Sequence, residues 1–471
     1  MAITALVKSS TLVIYPDIDT AAAREIEVSG PPTFSDSFDT IERDVVRQSF
    51  STYAPLRGLE TTSGTITVEL HGSGDRNKPP ESSILYKGAM GALLAPTSVT
   101  TSEAWMGIDD YIGTDVRSSI LDEIKWNDGT NDQSYDPKLY THVLETLDDP
   151  ETYGFREHYP IRVVNVAEDL VLVGFITKMW VAGDPHNPYG GINCLEVISE
   201  CPTQVDVSGG NPTVDCGWLY SLKLKDRTSQ VLALTEFTAD YFRGDITKES
   251  WVKNLSTEFS IDFQTGQVVL PSFNFEGGGV GYGNVDGVDV PYEVVSPTTY
   301  PYINSTFDSE HTSPLIVQLA DVMLEVKDPT GAIIGKKARF YQECISGIQI
   351  TLTNEVFKKE CLASIGVGEV VRTSRAVTGS LNTFYTDLAF QEAFKQDTFY
   401  ICRMIFNYAY QLATNKLKDY TSKPGNIVAL SIPQLKFSEV SVEEDTGIFK
   451  YNNAFAAEPI EGDDEFYLAF L

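Results

Sequence analysis

Between residues 61 and 70 the chain alternates strictly. Thr61, Ser63, Thr65, Thr67 and Glu69 fall on one side of an extended backbone, and Gly64, Ile66, Val68 and Leu70 fall on the other. Residues 377–385 repeat the arrangement, with Val377, Gly379, Leu381, Thr383 and Tyr385 alternating with Thr378, Ser380 and Asn382. A period of two with one apolar face and one small, hydroxylic face predicts half-buried strands whose polar side is wet. A run of similar length precedes each strand, residues 39–51 and 354–366, joined to it by segments rich in turn residues (Pro55 and Gly58; Gly366 and Gly368). Each stretch therefore reads as a long hairpin.

The two stretches align at a constant offset. Setting Gly64 on Gly379, a shift of 315 residues (379 minus 64), places Arg57 on Arg372 and Ser49 on Ser364. The same shift sets Asp39, Ile41, Arg43, Phe50, Ser63, Thr65 and Ile66 on Asn354, Val356, Lys358, Ile365, Thr378, Ser380 and Leu381. Few identities with matching chemistry are the mark of a duplicated unit that has diverged. A short helix is predicted after each strand, over residues 80–90 and 386–394, both opening on acidic or hydroxyl residues.

A long hairpin, a Ser/Thr-Gly-Ser/Thr strand and then a helix, present twice, resemble the tail tube proteins of long-tailed, siphovirus-like bacteriophages. The likeness covers residues 33–95, 250–280 and 345–460. It implies β-sandwich tube domains whose hairpins join between subunits into a continuous barrel around a channel for DNA. On that resemblance Thr61, Ser63, Thr65, Thr67, Glu69, Thr378, Ser380 and Asn382 are expected to face the lumen, and Ile41, Arg43, Arg57, Val356, Lys358 and Arg372 to sit on the subunit-joining hairpins.

The expected fold is mainly β: two antiparallel tube domains, each with a short helix, and an inserted β-rich domain. The first tube domain takes residues 1–96 and 215–280, and opens on an apolar strand at residues 11–15. The insertion takes 97–214, a linker 281–299 and the second tube domain 300–471. The insertion is read from length, since the first copy needs 180 residues from His71 to Ser250 where the second needs 40 from Thr386 to Gly425. Strands at residues 161–166 and 170–177 and a helical patch at 138–145 suggest a core of its own, projecting outward, so its removal is expected to leave assembly intact. Strands at 254–263 and 267–275 with a turn between them are matched by 432–440 and 448–455, with Phe259 and Ser260 set on Phe437 and Ser438. The Gly277–Gly283 stretch reads as a flexible tether, and residues 315–319 and 323–326 as strands.

Composition changes the picture in one respect. With 66 acidic against 35 basic residues, a formal charge of −31, the chain lacks the Lys/Arg clusters that grip phosphates by releasing counterions. Acidity suits a conduit through which DNA slides, and equally the solubility of an abundant protein. The six cysteines show no CxxC spacing, so no zinc site is expected. Cys194, Cys201 and Cys216 are near enough in sequence to pair if oxidised, but buried reduced thiols are the plainer reading. The start of the chain has no basic, apolar leader, and no run reaches the length of a membrane span, which predicts a soluble protein.

The candidate chemistry is thin. No helix follows Gly277–Gly283, so it is not a phosphate loop. Residues 128–132 and 286–289 set acids near glycine without the spacing of an EF-hand. The acid pairs Asp109–Asp110, Asp148–Asp149 and Asp463–Asp464 are chain neighbours that point opposite ways, and the five histidines form no metal or triad signature. The sequence therefore predicts no enzyme, cofactor or metal. The resemblance implies a virion protein assembled in the host cytoplasm, whose partners are itself, a tape measure protein and a tail terminator, with genome DNA passing through unbound. Two duplicated hairpins per chain predict a trimer that makes a pseudo-hexameric ring. Alternatives are a distal tail or terminator ring of the same family, or a glycan-binding β-sandwich with Trp180, Tyr189 and Trp218 as its aromatic platform.

Overall fold

The computed structural model describes residues 10–16, 24–41, 56–108, 140–166, 170–199, 205, 207, 210–222, 236–243, 247–285, 288–290, 292–294, 320–327, 339–340, 345–360, 367–384, 395, 399–406, 410–411, 416–417, 425–445 and 447–471. The expected helix at 386–394, the strand at 315–319, the acidic loop at 128–132, Asp109–Asp110, Cys201 and Arg43 lie outside the described residues.

The main strands are β1 (Thr11–Pro16), β2 (Thr33–Ile41) and β3 (Leu56–Thr67), followed by helix α1 (Ser83–Met90). Next come β4 (Val99–Ile108), β5 (Tyr140–Thr146), β6 (Pro160–Val164), β7 (Leu170–Trp180), β8 (Cys194–Ser199) and β9 (Thr213–Asp215). The chain continues through β10 (Trp218–Ser221), β11 (Phe237–Arg243), β12 (Thr247–Gln264) and β13 (Ser272–Gly277). It ends in β14 (Ala320–Lys327), β15 (Ile345–Glu360), β16 (Val367–Phe384), β17 (Phe399–Phe406), β18 (Val428–Asp445), β19 (Ile448–Ala457) and β20 (Tyr467–Phe470). The protein is mainly β and its pairings are antiparallel, as expected.

Two copies of one unit are visible in the registers. β2 pairs with β3 so that Phe34 opposes Gly64, and β15 pairs with β16 so that Ile350 opposes Gly379. Next to them, β13 sets Phe275 opposite Gly64 and β19 sets Phe455 opposite Gly379. A Cβ on Gly64 would overlap the Phe275 ring and the Thr33 carbonyl, and one on Gly379 the Phe455 ring and the Gln349 carbonyl. The shared glycine is therefore a packing requirement: an aromatic ring from the next strand lies over a bare backbone. Both hairpins carry a bulge at one position, between Phe38 and Thr40 in the first and between Glu355 and Val356 in the second.

These registers correct two sequence alignments. Thr40 opposes Arg57 and Val356 opposes Arg372, so the leading hairpin strands match at an offset of 316 (356 minus 40), and Ile41 corresponds to Phe357 rather than Val356. In β12 and β18, Ser256 opposes Phe275 and Phe437 opposes Phe455, an offset of 181 (437 minus 256). Phe259 therefore corresponds to Val440, not Phe437. Phenylalanines recur on these strands, and identity alone slid the match by three places.

In each copy the long strand serves two layers. The N-terminal half of β12 pairs with β11, and β11 with β1; the N-terminal half of β18 pairs with β17, and β17 with β14. The C-terminal halves run on into the other layer beside β13 and β19. One apolar cluster fills the space between layers in both copies, including Ile66, Phe273, Phe275, Ile350, Leu352, Leu381, Met404 and Phe455. Tyr86 of α1 joins the layers, with its ring centroid 5.9 and 5.3 Å from Phe259 and Phe273 and 5.4 Å from both Tyr220 and Phe470. The stretch read as a flexible tether starts as a strand: Gly279–Gly281 bonds to β12, and Glu293–Val294 bonds to it further along.

Strands β4 to β9 close into a six-stranded barrel in the order β8, β5, β4, β9, β6, β7. The helical patch expected at 138–145 is strand β5, for a short apolar run does not distinguish the two periods and this one is buried on both sides. The barrel does not have a core to itself. Its Val163, Leu172, Phe175, Val197 and Val214 share one cluster with Ile405, Ile427, Ala429, Tyr467 and Leu471 of the second copy. Tyr159 meets Tyr467 edge to face at 4.8 Å, and the Arg403 guanidinium lies 6.0 Å from the Phe175 ring centre. The exit from the barrel is fixed by Asp215, fully buried, whose carboxylate accepts from Arg162 Nε at 2.7 Å and from Arg76 at 3.4 Å. Burial lowers the Arg162 pKa, and the Asp215 charge partly restores it.

Two outcomes follow from this packing. Excising residues 97–214 and closing the gap with a Gly/Ser linker uncovers Ile405, Ile427, Tyr467 and Leu471, and is expected to yield aggregated protein rather than rods; recovery of a soluble, monodisperse deletion protein by size-exclusion chromatography would refute this. Replacing Gly379 with Ala forces Phe455 out of its seat and is expected to lower stability by about 1–3 kcal/mol in urea unfolding, whereas Ser380→Ala, on the opposite face, is expected to be close to neutral.

Candidate functional site: a hydroxylic sheet face and two open edges

The hairpin layers of the two copies form one sheet. Its strands run β2, β3, β13, β12, β15, β16, β19, β18, with β12 bonded to β15 across the junction between copies. At that junction Glu258–Gln264 pair with Gly347–Thr353, from Glu258 opposite Thr353 to Gln264 opposite Gly347. Asn354, 3% exposed, fastens the seam by donating to Ser256 O and Ala89 O, both at 3.1 Å. Arg372 of β16 donates to Gly88 O at 2.8 Å, so the second copy's hairpin caps the C-terminal end of the first copy's helix. Burial, with Arg375 nearby, lowers the Arg372 pKa to about 10.

The face of this sheet turned away from the core is built from small polar groups. Thr61, Ser63, Thr65, Thr67 and Glu69 are exposed or half-buried, while Thr62, Ile66, Val68 and Leu70 are buried. Thr378, Ser380 and Asn382 are likewise open, between buried Val377 and Leu381. The registers bring Ser272, Asn274 and Glu276 beside Thr67, Thr65 and Ser63, and Thr65 Oγ1 donates to Asn274 Oδ1 at 2.7 Å. The same face carries Glu258, Asp262, Glu355, Glu439 and Glu443 against Lys450. A shallow groove over the seam is lined by Glu258, Glu276 and Glu355 together with threonines, asparagines and the apolar Val356 and Phe357. Sequence reading found the two hydroxylic strands but not the carboxylates beside them, because those come from strands remote in the chain.

Of the residues expected on the joining hairpins, Ile41 ends β2, Arg57 lies in β3, and Lys358 and Val356 lie in β15. Arg372 acts within the chain, as above. Sequence reading missed Asn354, whose role depends on a partner strand 98 residues away.

Other candidate chemistry has local structural roles. Asp148 accepts from Tyr153 Oη at 2.9 Å, and Asp149 caps the turn at Glu151. Asp464 accepts the amides of Ile460 and Glu461, while Asp463 pairs with Arg375. Tyr189 is buried and, like Trp180, donates to Glu196 Oε1 at 2.7 Å; Trp218 Nε1 donates to Arg76 O at 3.3 Å. These rings do not form an exposed platform. Cys194, Cys216 and Cys402 are buried free thiols. Among the described residues no group of three or more His, Cys, Asp or Glu could hold a metal ion.

Two strand edges in the hairpin layer have no neighbour among the described residues: β2 on the side away from β3, and the C-terminal half of β18 on the side away from β19. A sheet with unpaired N–H and C=O rows at both ends is a template for addition of another strand.

No curated protein matches the chain. A solved structure described as the crystal structure of Hcp protein is similar over 29% of this chain and 88% of that one, at 6% identity and a TM-score of 0.16. A family model described as phage tail tube protein matches residues 5–428, most of the chain. The chain therefore belongs to the phage tail tube protein family, and is a structural protein of the virion's tail tube.

Proposed function

We propose that three chains close one ring of the tube, each filling two of six places, with the hydroxylic face lining the channel. The observation that carries this is the seam inside the chain. There the C-terminal half of β12 in the first copy joins the leading hairpin strand, β15, of the second. The copies share their registers, so the equivalent half of β18 matches the open edge of β2 on a neighbouring chain. Shifting the β12–β15 register by the two offsets sets Glu439 opposite Ser37, Val442 opposite Phe34 and Glu443 opposite Thr33. Beyond Thr33 the edge meets Pro31 and Pro32, which lack an N–H and end the pairing. Asp36 stands where the second copy has buried Leu352, an inward charge that guards the β2 edge against chance partners.

The geometry suits a channel. Each copy contributes four strands to the hairpin layer, so three chains supply 2 × 4 × 3 = 24. At about 4.8 Å between strands the barrel is about 37 Å across before tilt widens it, whereas half that number closes on its own side chains. The wall is dominated by hydroxyls and carboxylates, and its Lys450 stands opposite Glu443, so it presents no cationic cluster to phosphates and genome DNA passes without specific binding. The role is structural and not catalytic. Assembly in the host cytoplasm, a tape measure protein inside the tube and a terminator at its end are the surroundings that membership of the family implies.

Mass measurement and electron micrographs of the purified protein are expected to show hollow rods of stacked rings with three chains each; six chains per ring would overturn the stoichiometry, and rings that never stack would make this a terminal ring. Thr65→Lys with Thr67→Lys is expected to leave rods intact and slow DNA release, since each lysine contacts phosphates; ejection at the unaltered rate would remove these residues from the channel wall.

A further inference from the structure

Within the chain the seam between copies is finished by an aromatic pair. Phe263, near the end of β12, lies flat on Phe406, at the end of β17, with centroids 4.3 Å apart and planes 10° from parallel. This contact closes the sandwich where the tip of one copy reaches the next copy's second layer, and is worth about 0.5–1.5 kcal/mol beyond the area it buries.

The registers identify the residues that stand in these two places at the other ends of the chain. β12 maps onto β18 with an offset of 181, so Phe263 corresponds to Glu444. β11 maps onto β17 through a shared bulge. Phe237 opposes Asn254 and Ala239 opposes Trp251, just as Tyr400 opposes Leu435 and Cys402 opposes Ile432, an offset of 163 (400 minus 237). Phe406 therefore corresponds to Arg243. The core-facing row Cys402, Met404, Phe406 is matched by Ala239, Tyr241, Arg243, and the row Phe259, Ile261, Phe263 by Val440, Val442, Glu444. In each row the two inner positions stay uncharged and only the last has become ionic.

We propose that Arg243 of one chain pairs with Glu444 of the next, so that the seam between chains is closed by an ion pair where the seam within a chain is closed by stacked phenylalanines. The partner is a second copy of this chain, and the inference rests on the ring proposed above. Arg243 is about half exposed, with its guanidinium 3.0 Å from Glu249 and 5.8 Å from the Tyr241 ring centre. Glu444 is exposed on the β18 edge. Both places are wet in a single chain and become covered when the next chain docks. An Arg–Glu pair is soluble before docking and complementary after it, whereas two phenylalanines in these positions would leave apolar tips in water. The swap also sorts the seams. Seating a β18 tip on the β17 side of another chain places Glu444 against Phe406, which buries a carboxylate without a cation. Phe–Phe contacts therefore form within the chain as it folds, and charged contacts form between chains.

Charge reversal tests this. Arg243→Glu and Glu444→Arg are each expected to leave a folded monomer with unchanged circular dichroism and to lower ring formation about tenfold or more at equal concentration, corresponding to about 1.4 kcal/mol or more over the whole ring. The double variant Arg243→Glu/Glu444→Arg is expected to recover it. Glu444→Arg lies on an exposed tip away from the Arg243–Glu249 pair, so it carries the test alone should Arg243→Glu disturb folding. A one-to-one mixture of the single variants can satisfy only unlike neighbours. A three-chain ring made from it always retains one mismatched junction, so the mixture is expected to recover less than the double variant. Single variants that assemble as the unaltered protein does, or a double variant no better than the singles, overturn the pair. Six-chain rings that still show loss and rescue overturn the proposed stoichiometry and uphold the pair; three-chain rings indifferent to reversal do the opposite.

Discussion

The structure depends on one antiparallel junction, Glu258–Gln264 of β12 against Gly347–Thr353 of β15. It turns two four-stranded units into one sheet, and the neighbouring contacts follow from it. Asn354 sits one residue past the paired stretch and satisfies carbonyls of both the seam and α1. Arg372 can reach Gly88 only because its hairpin is docked there, and Phe263 finds Phe406 only because the long strand runs into the adjoining layer. Backbone pairing is insensitive to side-chain identity, which is why the copies keep register and bulges after nearly all their residues have diverged.

In the proposed ring each end of the chain is half of a junction, because the copies share one register. A monomer therefore carries open strand edges, which in an isolated protein invite aggregation. Here the edges are conditioned: Pro31 and Pro32 shorten one, Asp36 places a charge on its inner side, and β18 ends in Glu443 and Glu444. Duplication within one chain gives such conditioning room to act, since the inner junction can become apolar while the outer one stays polar. A chain with a single copy would need one surface to serve both purposes.

The six-stranded barrel follows the same logic of shared surface. It is inserted in the first copy but packs on the outer layer of the second, through Tyr159 on Tyr467 and through a cluster reaching Leu471. Strand β20 lies between β10 and β18, so a strand from the barrel's exit, the last strand and the second copy's long strand are bonded side by side. The insertion braces the two copies against each other, and the Arg162–Asp215 pair holds the point where the chain leaves it.

The sequence by itself determined the period-two strands, the glycine that recurs at 64 and 379, and the order of hairpin and helix in the first copy. These are local features or exact spacings, and one-dimensional patterning records them directly. The sequence also showed the hydroxylic face, because alternation on a single strand is enough to reveal it. Tertiary structure alone decided the one-residue and three-residue corrections to the alignment: the step from Thr40 to Arg57 is one residue longer than that from Val356 to Arg372, and recurring phenylalanines hid the true match of β12 with β18. It alone turned residues 140–146 into a barrel strand, since an apolar run buried on both sides has no period to read. It alone brought Glu276 beside Ser63, Glu258 beside Asn274 and Glu355 beside Ser374, and set Arg243 and Glu444 in the places of Phe406 and Phe263. Those relations join residues hundreds of positions apart, and hydrogen-bond registers across a folded sheet, not neighbourhood in the chain, determine which of them meet.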